Sequence, residues 1–155
     1  MSNIVTVHEV GLRDGLQNQP KHVPTQGKIE ILNALIASGI TSIEATSFVS
    51  PKAVPQMADA TDLYSRLPSD DSIHFEALVP NEKGYELAVN AGAKTIALVL
   101  ASTNTMNRKN INMTLDHALN VNINVIGRAK AEGVRARSYI STALHCPYEG
   151  EVKPS

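Results

Sequence analysis

The feature that most constrains this chain is a regular alternation of short β-branched runs with amphipathic helical stretches. Ile4 to Val10 is the first apolar run, and alternating β-branched side chains suit a pleated backbone. Thr25 to Ser38 then carries Ile29, Leu32, Leu35 and Ile36 at the spacing of one helical face, with Pro24 and Thr25 as a start and Gly39 as a stop. Thr41 to Phe48 is a second strand. A loop with Pro51 and Pro55 precedes a helix from Gln56 to Arg66, which ends before Pro68 because a residue preceding proline disfavours the helical region. Strands over Ile73 to Val79 and Thr95 to Leu100 flank a helix from Glu82 to Ala91 that Gly92 stops. Ala101 to Asn112 reads as a polar loop. Thr114 caps a fourth helix, which turns Leu115, Ala118, Leu119, Ile123 and Ile126 inward and ends by Gly133; Val134 to Leu144 is a fifth strand.

The order βαβαβαβαβ, with right-handed crossovers, specifies a parallel sheet. Two architectures compete. A five-stranded doubly wound sheet fits the length. A (β/α)₈ barrel fits the local pattern but needs about 250 residues, so this chain would supply its first half. Both place ligands at the carboxyl ends of the strands.

Composition narrows the partners. The 155 residues make one domain, 1–155, and an apolar fraction of 43% with 19% charged residues is that of an ordinary globular protein. A formal net charge of -1 points to neither nucleic acid nor an anionic membrane, and no apolar run is long enough to span a bilayer. Cys146 is the one cysteine, which excludes an intrachain disulfide and suits a reducing, cytoplasmic setting.

At the end of the first strand, Gly11 and Gly15 bracket Arg13 and Asp14. A cation and a hard oxygen ligand side by side suit a divalent metal held next to a polarised carbonyl, although Asp-Gly is also among the commonest turn dipeptides. Glu44 lies mid-run in the second strand. An ionised carboxylate there costs several kcal/mol unless paired, and Arg13 is its expected partner. Glu9 and Glu76 read as structural ion-pair or solvent-facing carboxylates. His8, His22, His74, His117 and His145 form no His-x-His or His-x-x-x-His pair. His145 and Cys146, as strand neighbours, point to opposite faces. Lys52, Arg108 and Lys109 read as solvated loop charges. There is neither a GxGxxG nor a P-loop pattern.

The run Glu9-Val10-Gly11-Leu12-Arg13-Asp14-Gly15-Leu16-Gln17-Asn18 resembles the opening signature of 3-hydroxy-3-methylglutaryl-CoA lyases. So do Thr46 to Lys52, Val54-Pro55-Gln56-Met57, Lys109-Asn110-Ile111-Asn112 and Cys146-Pro147-Tyr148-Glu149-Gly150, in family order along the chain. The wider superfamily of isopropylmalate, homocitrate and citramalate synthases shares the Arg-Asp element, while the Ser-Phe-Val-Ser-Pro and Cys-Pro-Tyr-Glu-Gly blocks are similar to the lyase.

The resemblance implies the first half of a (β/α)₈ TIM barrel, with about five parallel strands and four helices, ending after the fifth strand. It implies a magnesium- or manganese-dependent carbon–carbon lyase that cleaves 3-hydroxy-3-methylglutaryl-CoA to acetyl-CoA and acetoacetate. Carried over by position, Asp14 is the metal ligand, Arg13 the catalytic cation that also binds substrate, Glu44 the active-site glutamate, and Gln17 lines the substrate site. Leu12 stands where the family usually has proline, and His145 where it usually has glycine. The family's His-x-His and asparagine ligands and its mobile-loop cysteine belong to later strands, and Cys146 does not replace that cysteine. The isolated chain is therefore expected to be inactive, and to self-associate through open barrel edges. A condensing synthase and a non-catalytic half-barrel that serves binding or assembly are the alternatives.

Overall fold

The computed structural model describes residues 5–153; Ile4, at the head of the first expected strand, lies outside the described residues. Strands β1 (Ser42–Ser47), β2 (His74–Leu78), β3 (Thr95–Ala101) and β4 (Arg135–Ser141) form one parallel sheet in chain order. A doubly wound sheet reverses strand order at a switch point. This one does not, and successive neighbours wound in one direction form the wall of a barrel. Helices α1 (Thr25–Ala37), α2 (Ala60–Ser65), α3 (Glu82–Asn90) and α5 (Leu115–Ala131) provide the crossovers. An additional α4 (Asn104–Ile111) follows β3, and a short hairpin of β5 (His145–Cys146) and β6 (Gly150–Glu151) follows β4.

The two faces of the sheet differ chemically. Ala45, Ala77, Val79, Ile96 and Leu98 pack outward on Tyr64, Tyr85, Ala88, Val125 and Ala129 of the helices, while Ile43 packs with Leu12 and Leu32. Because strand side chains alternate, the residues between these project into the barrel interior: Glu44, Glu76, Arg137 and Tyr139. The helix-covered face is therefore apolar and the interior face is charged.

Four expectations change. The first strand is reduced to a parallel bridge between Glu9 and Ile43, with Glu9 N donating to Ser42 O at 2.9 Å and Glu44 N to Glu9 O at 2.8 Å. Val5 and Val7 are 83% and 65% exposed, so burial does not reinforce pairing there.

The helix expected from Gln56 splits into a 3₁₀ turn, Pro55–Met57, and α2. The buried Lys28 ammonium takes the Gln56 carbonyl at 2.6 Å, an oxygen that a continuous helix would offer to Ala60. Lys28 also pairs with Asp59 at 2.5 Å, and Thr25 Oγ1 donates to the other Asp59 oxygen, which clasps α1 to α2.

The polar stretch after β3 is helical. The buried Asn107 amide accepts from Ala101 N at 3.0 Å and donates to the carbonyls of Ala101 and Thr103 at 2.8 and 2.9 Å, which docks α4 on the strand end. Helix α5 is rotated from the expected orientation. Ala118, Asn122, Val125 and Ala129 face inward, leaving Leu119, Ile123 and Ile126 at 43%, 56% and 39% exposed. The small residues Ala118 and Ala129 let this side approach the sheet closely. The helix carries two apolar stripes, so periodicity alone does not choose between them.

Candidate active site

The site begins at one turn of π-helix, Gly11–Gly15, which joins the bridged segment to the region above β1. Glu9 Oε1 accepts from Gly11 N at 2.6 Å, and a Cβ on residue 11 would lie 2.8 Å from that oxygen, so the turn needs glycine for close approach. Leu12 is fully buried against α1, which fixes the turn and presents Arg13 and Asp14 to the other side.

Arg13 bridges two carboxylates. Its Nε donates to Oε1 of the fully buried Glu44, and its Nη1 donates to Asp14 Oδ1 at 2.6 Å. Gln17 Nε2 reaches the same Asp14 oxygen at 3.0 Å, and Asn18 Nδ2 donates to the Asp14 carbonyl at 2.9 Å. The Asp14 side chain is 53% exposed, so it stands on a rim, whereas the Arg13 side chain is only 14% exposed. The four sequence-selected residues are thus brought together: Asp14, Arg13 and Glu44 form a line from the rim to the interior, with Gln17 steadying Asp14.

The rim belongs to a cleft of about 620 Å³ at the carboxyl ends of the strands. Arg13, Asp14 and Gln17 line it together with Leu78 of β2, Val99 of β3, Tyr139 of β4 and Asn110 of α4. This is the end at which both architectures considered for the chain place ligands.

Beneath the cleft the charges are compensated. Burial raises the pKa of Glu44 above its ordinary value, opposed by the Arg13 guanidinium and by a hydrogen bond from Tyr139 OH to Oε2 at 3.3 Å. Burial, with the charges of Glu44 and Glu76 added, pushes the Tyr139 phenol up to about 12. Glu76 pairs with Glu44 in strand register and is salt-bridged by Arg137 Nη2 at 2.8 Å. His8 Nδ1 contacts Ser42 Oγ at 2.7 Å, while its Nε2 stands 3.5 Å from Glu76 Oε1 without hydrogen-bond alignment. Burial lowers the His8 pKa, so the ring is neutral at pH 7.

Glu76 and Arg137 escaped functional notice in the sequence. Strand alternation with Glu44 was the available signal, but it appears only once the register of β1 on β2 is known. His8, Glu44 and Glu76 offer ligand atoms within 4.8 Å of one another. However, both carboxylates already hold guanidinium partners, and two fixed cations there oppose a third. Asp14 is the more exposed carboxylate of the site, and the side-chain hydrogen bonds from Arg13 and Gln17 both fall on its Oδ1.

Other sequence candidates lie elsewhere. Cys146 is buried in the hairpin and accepts from Thr103 Oγ1 at 3.1 Å, while His145 is exposed on the opposite face. Lys109 lies 4.6 Å from the centroid of the exposed Tyr148 ring.

Comparison with known proteins places this geometry in context. Residues 4–154 match the sequence profile described as HMGL-like. The chain is 45% identical over 151 residues to a protein of Danio rerio named 3-hydroxy-3-methylglutaryl-CoA lyase, cytoplasmic, covering 97% of this chain and 45% of the relative. It is 42% identical to a Bos taurus protein named hydroxymethylglutaryl-CoA lyase, mitochondrial, covering 97% of this chain and 46% of the relative. The fold superposes with a TM-score of 0.91 on an HMG-CoA lyase from Acinetobacter baumannii in complex with coenzyme A and 3-methylmalate, at 35% identity, covering 97% of this chain and 49% of that one. The chain spans about half the length of the curated relatives it matches, and its four-stranded sheet matches part of a TIM barrel.

Proposed function

The chain belongs to the HMGL-like family, and we propose that it is the N-terminal half of a hydroxymethylglutaryl-CoA lyase. The observation that carries this reading is Arg13 joining the buried Glu44 to the rim carboxylate Asp14 in a cleft at the strand ends.

The reaction is a retro-Claisen cleavage of 3-hydroxy-3-methylglutaryl-CoA. Loss of the proton from the tertiary hydroxyl lets the C–C bond break, giving acetoacetate and a thioester enolate that is protonated to acetyl-CoA. Arg13 spends Nε and Nη1 on protein carboxylates; among the described residues its Nη2 makes no hydrogen bond, and this donor steadies the enolate oxygen. Glu44 fixes the guanidinium and balances its charge. Gln17 orients Asp14 and lines the acyl site.

A divalent cation, magnesium or manganese, would supply Lewis-acid stabilisation of the substrate oxygens, held in part by Asp14. One carboxylate is too small a ligand set for a hard cation that demands octahedral oxygen coordination. The remaining ligands must come from outside this half. A cytoplasmic location stays within this proposal, supported by the name of the Danio rerio relative, whereas the Bos taurus relative is named mitochondrial.

The test is to assay the chain with magnesium and 3-hydroxy-3-methylglutaryl-CoA, alone and co-expressed with the C-terminal half of a relative. Activity is expected only from the pair and is lost in Arg13→Ala. Turnover by the chain alone refutes its incompleteness, and an inert, correctly assembled pair refutes the lyase.

A further inference from the structure

The interior layer under the cleft holds more order than charge balance requires. Arg137 and Tyr139 are two residues apart on β4 and so project from the same face. Arg137 Nη2 donates to Glu76 Oε1 at 2.8 Å and also to the Tyr139 hydroxyl, and the guanidinium carbon lies 4.6 Å from the centroid of the Tyr139 ring. That hydroxyl in turn donates to Glu44 Oε2 at 3.3 Å, while Oε1 is held by Arg13.

A phenol that accepts from a guanidinium becomes a better donor, because hydrogen bonds in a chain polarise one another. With its lone pair engaged by Arg137, the hydroxyl proton is directed at Glu44 rather than at Glu76, although Glu76 is also buried nearby. The two N–H bonds of Nη2 thus serve both groups at once, one directed at Glu76 and the other at the phenol.

We propose that Arg137 is a positioning residue: through the Tyr139 hydroxyl it holds Glu44 Oε2, so that Glu44 presents Oε1 to Arg13 in one fixed orientation. The consequence for turnover rests on the lyase reading above, but the relay itself is a property of this chain alone. Arg137 does not itself line the cleft, whereas Tyr139 does. It acts at the reactive corner only through its neighbour on β4.

The test is a double-mutant cycle read by ¹³C NMR of the Glu44 side-chain carboxyl in the full chain without substrate, the signal being assigned by its loss in Glu44→Gln. Tyr139→Phe removes one donor to Glu44 Oε2 and is expected to raise the titration midpoint by about half to one pH unit, the size of one hydrogen bond. Arg137→Gln is expected to raise it comparably in the native background and by less than half as much in Tyr139→Phe. An equal rise in both backgrounds means that Arg137 acts on Glu44 by charge alone and overturns the relay, as does an unchanged midpoint in Tyr139→Phe. Should Arg137→Gln not fold, Arg137→Lys keeps the charge opposite Glu76 on a shorter side chain. It is expected to lose the coupling, and a wild-type midpoint in that variant also overturns the proposal. Since no turnover is measured, failure of the relay is distinguishable from failure of the lyase reading.

Discussion

Glu44 and Glu76 lie opposite each other on adjacent parallel strands, both fully buried, and each is held by its own arginine from a different element. Like charges at neighbouring positions of a sheet are destabilising unless compensated. The compensation comes from far along the chain: Arg13 stands 31 residues before Glu44, and Arg137 stands 61 residues after Glu76. The folded barrel wall thus makes the site, and the site's charges tie the wall together.

Removing one partner exposes this dependence. Arg13→Ala leaves Glu44 buried without its cation and is expected to lower stability at pH 7 by about 3–5 kcal/mol in urea unfolding. Arg13→Ala combined with Glu44→Gln should recover part of the loss. If Arg13→Ala unfolds at the wild-type urea midpoint, the pair contributes nothing to folding.

The pH dependence follows from the raised Glu44 pKa. Its folded value lies above the ordinary 4.5, so between the two the folded state binds more protons than the unfolded one. The Glu44 contribution is therefore fully present below 4.5 and is lost as pH rises through the folded value. Glu86, Glu132 and Glu149 act with opposite sign, because their depressed values give stability that fades on acidification. Comparing wild type with Glu44→Gln isolates the first effect: the difference in unfolding free energy should change with pH above 4.5, and a flat difference contradicts it.

Gly84→Ala tests the packing of α3. The added Cβ would lie 2.6 Å from the Phe48 carbonyl oxygen and 2.8 Å from Pro80 Cδ, and both belong to the structured loops after β1 and β2. A loss of about 1–3 kcal/mol is expected, seen as a lower melting temperature.

Exposed apolar surface predicts association. Leu119, Ile123 and Ile126 form a stripe on α5, and Ile140 of β4 is 64% exposed. Light scattering should find oligomers of the wild-type chain that Ile123→Glu with Ile126→Glu reduces to monomer. A monomeric wild type removes both this stripe and the open sheet edge as causes.

Legibility in the sequence tracked how local the determinant was. Helix α1 and strands β1 to β3 follow periodicity and Gly or Pro punctuation, which act within a few residues, and the structure bounds them to within one or two positions. Arg13, Asp14 and Gln17 are neighbours in one turn, so their proximity was readable. Glu44 was readable as a buried charge in need of a partner. Arg137, Tyr139 and Glu76 were not, since their meeting depends on the register of three strands. Helix α4 was missed because its docking depends on one amide reaching back to the strand, a tertiary contact that outweighs the weak helical preference of Asn and Thr. The loss of the first strand has the same origin: its sequence is apolar, but among the described residues Val5 and Val7 find nothing to cover them.

That amide has a further consequence. Met106, Asn110 and Ile111 of α4 contribute to one side of the cleft, and Asn107 is the side chain that rivets this helix to the end of β3. The placement of that side of the cleft thus depends on three hydrogen bonds made by a single planar group. A change of one atom there, Asn107→Asp, would set an oxygen against the carbonyls of Ala101 and Thr103 where an amide nitrogen now donates, and α4 would loosen from the strand without any lining residue being altered.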